Sequence, residues 1–174
     1  LEMLRNKDEI VILYTQDNQV RHIRLNGSHP RDVKPTPMGD SVAHYEGDTL
    51  VIDTVGIKKG PFAMLDMYGT PFSEQLHVVE RYRLVDYDQA KDAIERNDKE
   101  NIHAGLGWDF DPNYRGKVLS MEFTVEDPVM FKTPWKATVT YLRAANDWEE
   151  RVCAENTFEY FKHVAMPVSD RPDF

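Results

Sequence analysis

Hydrophobic and polar residues are grouped along this chain in short segments that are typical of β-strands. Residues 9–15 form a continuous β-branched and aromatic run, whereas residues 117–126 alternate between apolar and polar side chains from Leu119 onward. Residues 87–97 instead carry apolar side chains at helical spacing. The pattern predicts strands at residues 9–15, 20–25, 41–45, 49–55, 75–85, 117–126, 135–142 and 148–155, and one helix at residues 87–97.

Most of these segments are joined by short connections rich in turn-forming residues, although a few loops are long. Because sequential antiparallel strands have edges that need to be hidden, we predict a mostly β, up-and-down, lipocalin-like barrel of about eight strands. The interior of such a barrel is just large enough for a small ligand. We expect residues 1–166 to form this single domain and residues 167–174 to be a loosely attached tail.

Composition narrows the classes of partner. The chain has 174 residues and a net charge of -9, and an acidic surface repels phosphate backbones, so we expect no nucleic-acid partner. No apolar run approaches the length of about 20 residues that a membrane-spanning helix needs. The single cysteine, Cys153, excludes an internal disulfide framework and is interpreted as a small buried hydrophobe.

Motifs for nucleotide, serine-hydrolase and zinc-protease chemistry are missing, since the chain contains no glycine-rich phosphate loop, GxSxG, HExxH or CxxC. We therefore expect no cofactor. The six histidines are not spaced as HxH or HxxxH, so no metal site is predicted. The sequence leaves open the alternative that two histidines on adjacent strands bind a metal together.

Two carboxylates interrupt apolar strand faces. Asp53 alternates with Val51 and Val55, and Glu80 alternates with apolar residues of its own strand. A face that is otherwise apolar normally points inward, where desolvation turns a carboxyl group into a candidate general acid or base. The alternative is a structural ion pair with an inward arginine such as Arg21 or Arg81.

Other polar side chains on the same strands complete a hypothetical site. His22 and His77 are candidate proton relays, with a half-exposed polar face as the alternative. Tyr45 and Tyr82 are candidate donors to a ligand oxygen, although strand tyrosines often simply pack. Arg81 is a further candidate for substrate binding.

The pattern of residues 56–69 predicts a long loop, which we interpret as a lid. Its middle, residues 62–68, is unusually apolar for a loop and contains Met64 and Asp66. This segment either caps a cavity, to which Met64 and Asp66 contribute, or forms a homodimer contact.

Several runs resemble an uncharacterised family of usually exported bacterial proteins from soil proteobacteria and acidobacteria. The runs are VRHIRLNG with the following His29-Pro30, Met38–Val42, EGDTLVIDTVG from Glu46, SEQLHVVERY from Ser73, Thr124–Pro128 and Cys153–Asn156. The resemblance implies a periplasmic or secreted location and no settled activity. The chain departs from the family pattern at Phe72, where histidine is common, at Tyr45, where tryptophan is common, and in an insertion around residues 86–116.

Three functions fit these observations. The first is a cofactor-free lyase, hydratase or isomerase that acts on a small, fairly apolar molecule in the barrel, with Asp53 and Glu80 as base and acid. The second is a non-catalytic carrier of a hydrophobic ligand in the same cavity. The third is an accessory subunit of a larger assembly that uses the loop at residues 56–69 as its contact.

Overall fold

The described part of the protein contains eight strands and one helix. The computed structural model describes residues 1–14, 19–61, 63–66, 68–99, 111 and 113–144. The elements are β1 (Glu2–Arg5), β2 (Glu9–Leu13), β3 (Val20–Leu25), β4 (Asp40–Glu46), β5 (Thr49–Val55), β6 (His77–Val85), α1 (Tyr87–Lys99), β7 (Val118–Glu126) and β8 (Trp135–Tyr141). Seven predicted strands and the helix are confirmed, whereas β1 was not predicted. The predicted strand at residues 148–155 and the tail lie outside the described residues.

All eight strands belong to one sheet whose spatial order follows the chain, from β1 to β8. The sheet curls into a half-barrel, so the prediction of a mostly β fold with one helix is confirmed. One strand pair departs from the antiparallel expectation, because β3 and β4 run parallel and pair only through Arg24 with Val42 and Leu25 with Ala43. The long connection at residues 26–39 allows this, since parallel neighbours cannot be joined by a tight hairpin.

The connection at residues 26–39 returns closely against the end of β5. Thr36 forms an isolated bridge with Ile57, just beyond that strand. Gly39 has a φ of 70°, and a Cβ atom there would stand 2.7 Å from the carbonyl oxygen of Val55. Only glycine combines this backbone conformation with so close an approach, and the approach brings the connection beside the strands that carry the candidate site.

The inner face of the sheet holds the main hydrophobic core. Partly buried residues of β1 and of β7 and β8, among them Met3, Leu119 and Tyr141, pack against the same cluster. The two edges of the sheet therefore pack on one shared core, and this packing curls the sheet. The buried members of the cluster are Ile10, Ile12, Ile23, Leu25, Ala43, Leu50, Ile52, Tyr82 and Met121.

A smaller cluster fixes the helix to the sheet. Ala90 and Ile94 of α1 are buried together with Val85 and Val118. The backbone N–H of Asp86 donates to the side chain of Gln89 at 3.3 Å, which is the arrangement of a capping box at the start of a helix. The helix thus covers the junction between the end of β6 and the start of β7.

A third cluster lies under the β5–β6 loop, which comprises residues 56–76. Phe72, Leu76 and Val125 are buried there, and Trp135 packs edge-on against Phe123 and Phe131. This part of the core lies at the end of the sheet where β5 ends and β6 begins. It places the loop over that end of the half-barrel.

Candidate functional site

Strand register assigns the predicted carboxylates to opposite faces of the sheet. Glu80 is opposite Ile52 and Phe123 on the inner face, whereas Asp53 is opposite Val79 on the outer face. The expectation that Asp53 points inward is therefore wrong. The prediction failed because both faces of β5 carry buried apolar side chains: Val51 on the outer face is as buried as its inner neighbours. Alternation alone then does not mark the core side.

Glu80 belongs to a buried polar cluster on the inner face. Its carboxylate accepts two hydrogen bonds from the guanidinium of Arg21, at 3.1 and 2.6 Å, and one from the Tyr82 hydroxyl at 3.0 Å. Arg21 also donates to the hydroxyls of Thr54 at 2.6 Å and Ser41 at 3.2 Å. The structural alternative for Glu80, an ion pair with Arg21, is thus present.

Burial and the ion pair shift the pKa values of side chains in and around this inner cluster. Burial by itself would lower the pKa of Arg21, but the hydrogen bonds and charge of Glu80 outweigh it and raise that pKa. Burial and the neighbouring Glu80 charge raise the pKa of the Tyr82 hydroxyl, and burial raises the pKa of Tyr141 to about 12. Among the described residues, every buried side-chain nitrogen or oxygen has a hydrogen-bond partner. The cluster is therefore a closed structural network, in which Tyr82 is committed to Glu80.

A second polar group crosses the outer face at the end of the sheet near the β5–β6 loop. We call it the outer-face row. It links the β3–β4 connection with strands β3 to β7 through side chains that are between one-sixth and one-half exposed. Its members are Arg24, His29, Asp40, Asp53, His77 and Glu126.

Asp53 stands at the centre of the outer-face row, between two imidazoles. The Nε2 atoms of His29 and His77 lie 3.1 and 3.0 Å from the same Asp53 oxygen, Oδ1. The Nδ1 atom of His29 lies 2.6 Å from Asp40 Oδ1, and that of His77 lies 3.4 Å from Glu126 Oε2. Carboxylate contacts of this kind orient an imidazole and are used by general bases.

Arg24 stabilises the ionised form of Asp40 at the end of the row. Its two Nη atoms each donate to one Asp40 oxygen at 2.8 Å. These hydrogen bonds, aided by His29, hold the pKa of Asp40 below its usual value against a smaller opposing effect of burial. His29 is therefore held between two carboxylates, one of which is firmly anionic.

An apolar pocket of about 470 Å³ opens between the β5–β6 loop and the sheet. From the sequence, Met64 and Asp66 are expected to contribute if the loop caps a cavity. The pocket is lined by Met64 but not by Asp66. Its lining residues are Pro37, Ile57, Lys58, Gly60, Ala63, Met64, Leu65, Phe72, Leu76 and Val78.

Two carboxylates hold the β5–β6 loop in place. Asp66 accepts hydrogen bonds from Thr70 Oγ1 at 2.6 Å, Thr70 N at 3.1 Å and Tyr68 N at 2.9 Å. The bond from the Thr70 hydroxyl is the main reason that the pKa of Asp66 is lowered. Asp66 therefore shapes the loop rather than lining the pocket.

Asp127 ties the loop to the turn between β7 and β8. The buried carboxylate accepts hydrogen bonds from Ser73 N at 2.5 Å, Ser73 Oγ at 2.8 Å, Val129 N at 3.1 Å and Met130 N at 3.2 Å. Burial alone would raise the pKa of Asp127, but these hydrogen bonds outweigh it and lower the pKa. The loop above the pocket is thus anchored by a charged, buried acceptor.

The remaining predicted site residues lie elsewhere. His22 contacts Glu9 at 2.7 Å on the outer face, away from Asp53 and His77. Tyr45 is 44% exposed with the Arg5 guanidinium above its ring. Arg81 pairs with Glu46 on the outer face. Of the predicted site, the structure brings together Asp53 with His77 and Glu80 with Tyr82, and it separates the two pairs.

Sequence reasoning missed four members of the outer-face row, namely Arg24, His29, Asp40 and Glu126, and the anchor formed by Ser73 with Asp127. A signal was present, because His29, Asp40, Ser73, Glu126 and Asp127 all lie in the runs that carry the family resemblance. The runs are far apart in sequence, and only the folded sheet shows that they meet.

Comparisons with known proteins identify no relative. No family model, no curated protein and no solved structure matches this chain. In the part of the chain that the structure describes, no helix is long and apolar enough to cross a membrane. No group of three or more His, Cys, Asp or Glu side chains within those residues is placed to hold a metal ion. The family resemblance and the periplasmic location stay predictions.

Proposed function

We propose that this protein binds a small, apolar molecule in the pocket beneath the β5–β6 loop. The observation that carries this proposal is the pocket itself, whose volume of about 470 Å³ is within the range of about 300–1,000 Å³ that is usual for small-molecule sites. Nine of its ten lining residues are apolar or glycine, and the exception is Lys58. Such a lining favours a ligand that gains by leaving water.

The architecture around the pocket supports a preformed site. Phe72, Leu76 and Val78 belong to or pack on the third hydrophobic cluster, so the floor of the pocket is part of the core. The loop above is held by Asp127, which follows the neighbouring strand β7 at the same end of the sheet. Preorganised walls lower the entropic cost of binding, which favours ligand binding over collapse of the loop.

A neutral fluorescent probe tests this proposal. N-phenyl-1-naphthylamine is expected to bind one-to-one with a rise in fluorescence, because the pocket removes its rings from water. Ala63→Trp, which fills the pocket, is expected to weaken binding at least tenfold, and Met64→Ser by a smaller factor because it only makes the lining more polar. Fluorescence titration measures the dissociation constants.

The matched control is Leu84→Ser, which removes a 60% exposed apolar side chain that does not line the pocket. This variant is expected to bind the probe like the parent protein. Equal loss of affinity in Leu84→Ser and Ala63→Trp, or no saturable binding by the parent protein, contradicts the proposal.

Acid–base catalysis is a second candidate function, favoured by the contact between Asp53 and His77. A reaction that uses Asp53 and Glu80 as one pair lacks support, because the two carboxylates lie on opposite faces and Glu80 is held by Arg21. If the outer-face row is catalytic, Asp53→Asn and His77→Gln abolish turnover of a native substrate, whereas Glu80→Gln in folded protein does not. Turnover that survives Asp53→Asn and His77→Gln excludes this function.

A further inference from the structure

A polar groove of about 380 Å³ lies on the outer face, at the end of the sheet opposite to the apolar pocket. It runs across the start of β5, the second half of β6, and strands β7 and β8. Its lining residues are Thr49, Arg81, Arg83, Ser120, Glu122 and Thr138. The groove thus contains two guanidinium groups, three hydroxyls and one carboxylate.

Most charges in and around this groove are already paired. Arg81 forms an ion pair with Glu46, and Glu122 accepts a hydrogen bond from Lys136 at 3.1 Å. Arg83 is exposed and has neither an ion pair nor a hydrogen bond with any of the residues that the structure describes. Once the paired charges cancel, the groove keeps one positive charge on a protein whose net charge is -9.

Hydroxyl groups flank the unpaired guanidinium at fixed register positions. Ser120 stands directly opposite Arg83 on the neighbouring strand, and Thr138 lies opposite Glu122 one strand further on. Side chains that face each other in this way have Cβ atoms about 5 Å apart, so a ligand of a few atoms can contact both. The hydroxyls of Ser120 and Thr138 make no hydrogen bond to any other described residue, and are therefore available as donors.

We propose that this groove binds a small oxyanion, a carboxylate or phosphate group, with Arg83 as its principal ligand. The guanidinium donates two parallel N–H bonds to two oxygens of the anion, which is the geometry that arginine offers to both groups. Ser120 and Thr138 donate to the remaining oxygens. The adjoining Glu122 carboxylate and the open position keep the affinity in the millimolar range. This site is separate from the apolar pocket and does not depend on it.

Titration of the whole protein with inorganic phosphate and, separately, with acetate tests the proposal. Backbone and arginine side-chain NMR shifts are followed at constant ionic strength. We expect saturable shifts at Arg83, Ser120 and Thr138. The anion that binds more tightly shows whether the groove favours a phosphate or a carboxylate group. Arg83→Gln is expected to weaken binding at least tenfold, and Arg83→Lys less, because lysine keeps the charge but loses the bidentate geometry.

The matched control is Arg96→Gln, which removes the same charge from an exposed position on α1 outside the groove. This variant is expected to bind either anion as the parent protein does. Because we expect millimolar binding, the absence of a saturable shift in the groove at up to about 50 mM phosphate or acetate overturns the proposal. Equal weakening by Arg83→Gln and Arg96→Gln also overturns it, because only the general charge of the protein then matters.

Discussion

Replacing Glu80 by leucine is expected to lower the free energy of unfolding by about 3–5 kcal/mol, the usual loss when one partner of a buried ion pair is removed. The reason is that the Arg21 side chain, only 8% exposed, then keeps its charge with no anion beside it. The hydroxyls of Ser41 and Thr54 still accept from the guanidinium, but they carry no charge. The Tyr82 hydroxyl also loses its acceptor. Urea denaturation measures the loss.

The double variant Arg21→Leu with Glu80→Leu is expected to be more stable than Glu80→Leu alone, because it removes the stranded charge together with its partner. Glu122→Leu is the control, since its pair with Lys136 lies on the surface and contributes at most about 1 kcal/mol. A double variant that is no more stable than Glu80→Leu contradicts this account of the inner cluster. So does a Glu80→Leu variant that is as stable as Glu122→Leu.

Asp127→Ala is expected to lower the free energy of unfolding by about 3 kcal/mol, since four hydrogen bonds to one buried carboxylate are lost. The probe of the apolar pocket should also bind more weakly, because the loop above the pocket loses its anchor. Ser73→Ala removes only one of these bonds and is expected to cost about 1 kcal/mol. Unchanged stability and unchanged probe binding in Asp127→Ala would show that the loop is held by other contacts.

Asp127 also predicts a pH dependence. Its pKa is lowered in the folded protein, so its charge stabilises the fold fully above the unfolded carboxyl value of about 3.9, and this stabilisation is lost as the pH falls toward the lower folded value. The difference in unfolding free energy between the parent protein and Asp127→Asn should therefore be larger at pH 7 than at pH 3. An equal difference at both pH values would mean that the charge of Asp127 does not contribute.

Local pattern was sufficient for most of the fold. Alternation from Leu119 onward identified β7, and a continuous β-branched and aromatic run identified β2, because these residue types fit an extended and buried backbone. Strand β1 has only four residues, three of them exposed, so it carries no comparable signal. The parallel contact between β3 and β4 depends on how a 14-residue connection packs, which no local pattern encodes.

The candidate site was predicted less well than the fold, because its contacts are distant in sequence. Arg21 and Glu80 are 59 residues apart, and the pair was foreseen only as one alternative. His29 lies in a proline-rich connection that has no periodicity, so its place beside Asp53 followed only from the fold. The inward face of β5 was misjudged because packing on both faces hides the difference between inside and outside.

Direct location of a bound apolar molecule tests the central claim, that the pocket beneath the β5–β6 loop is a small-molecule site. Isotope-filtered nuclear Overhauser spectra of the protein with N-phenyl-1-naphthylamine report which methyl groups touch the probe. We predict contacts to the methyl groups of Ala63, Met64 and Val78, which line the pocket. Contacts confined to exposed methyl groups outside it, such as those of Leu4 and Val139, would contradict the claim.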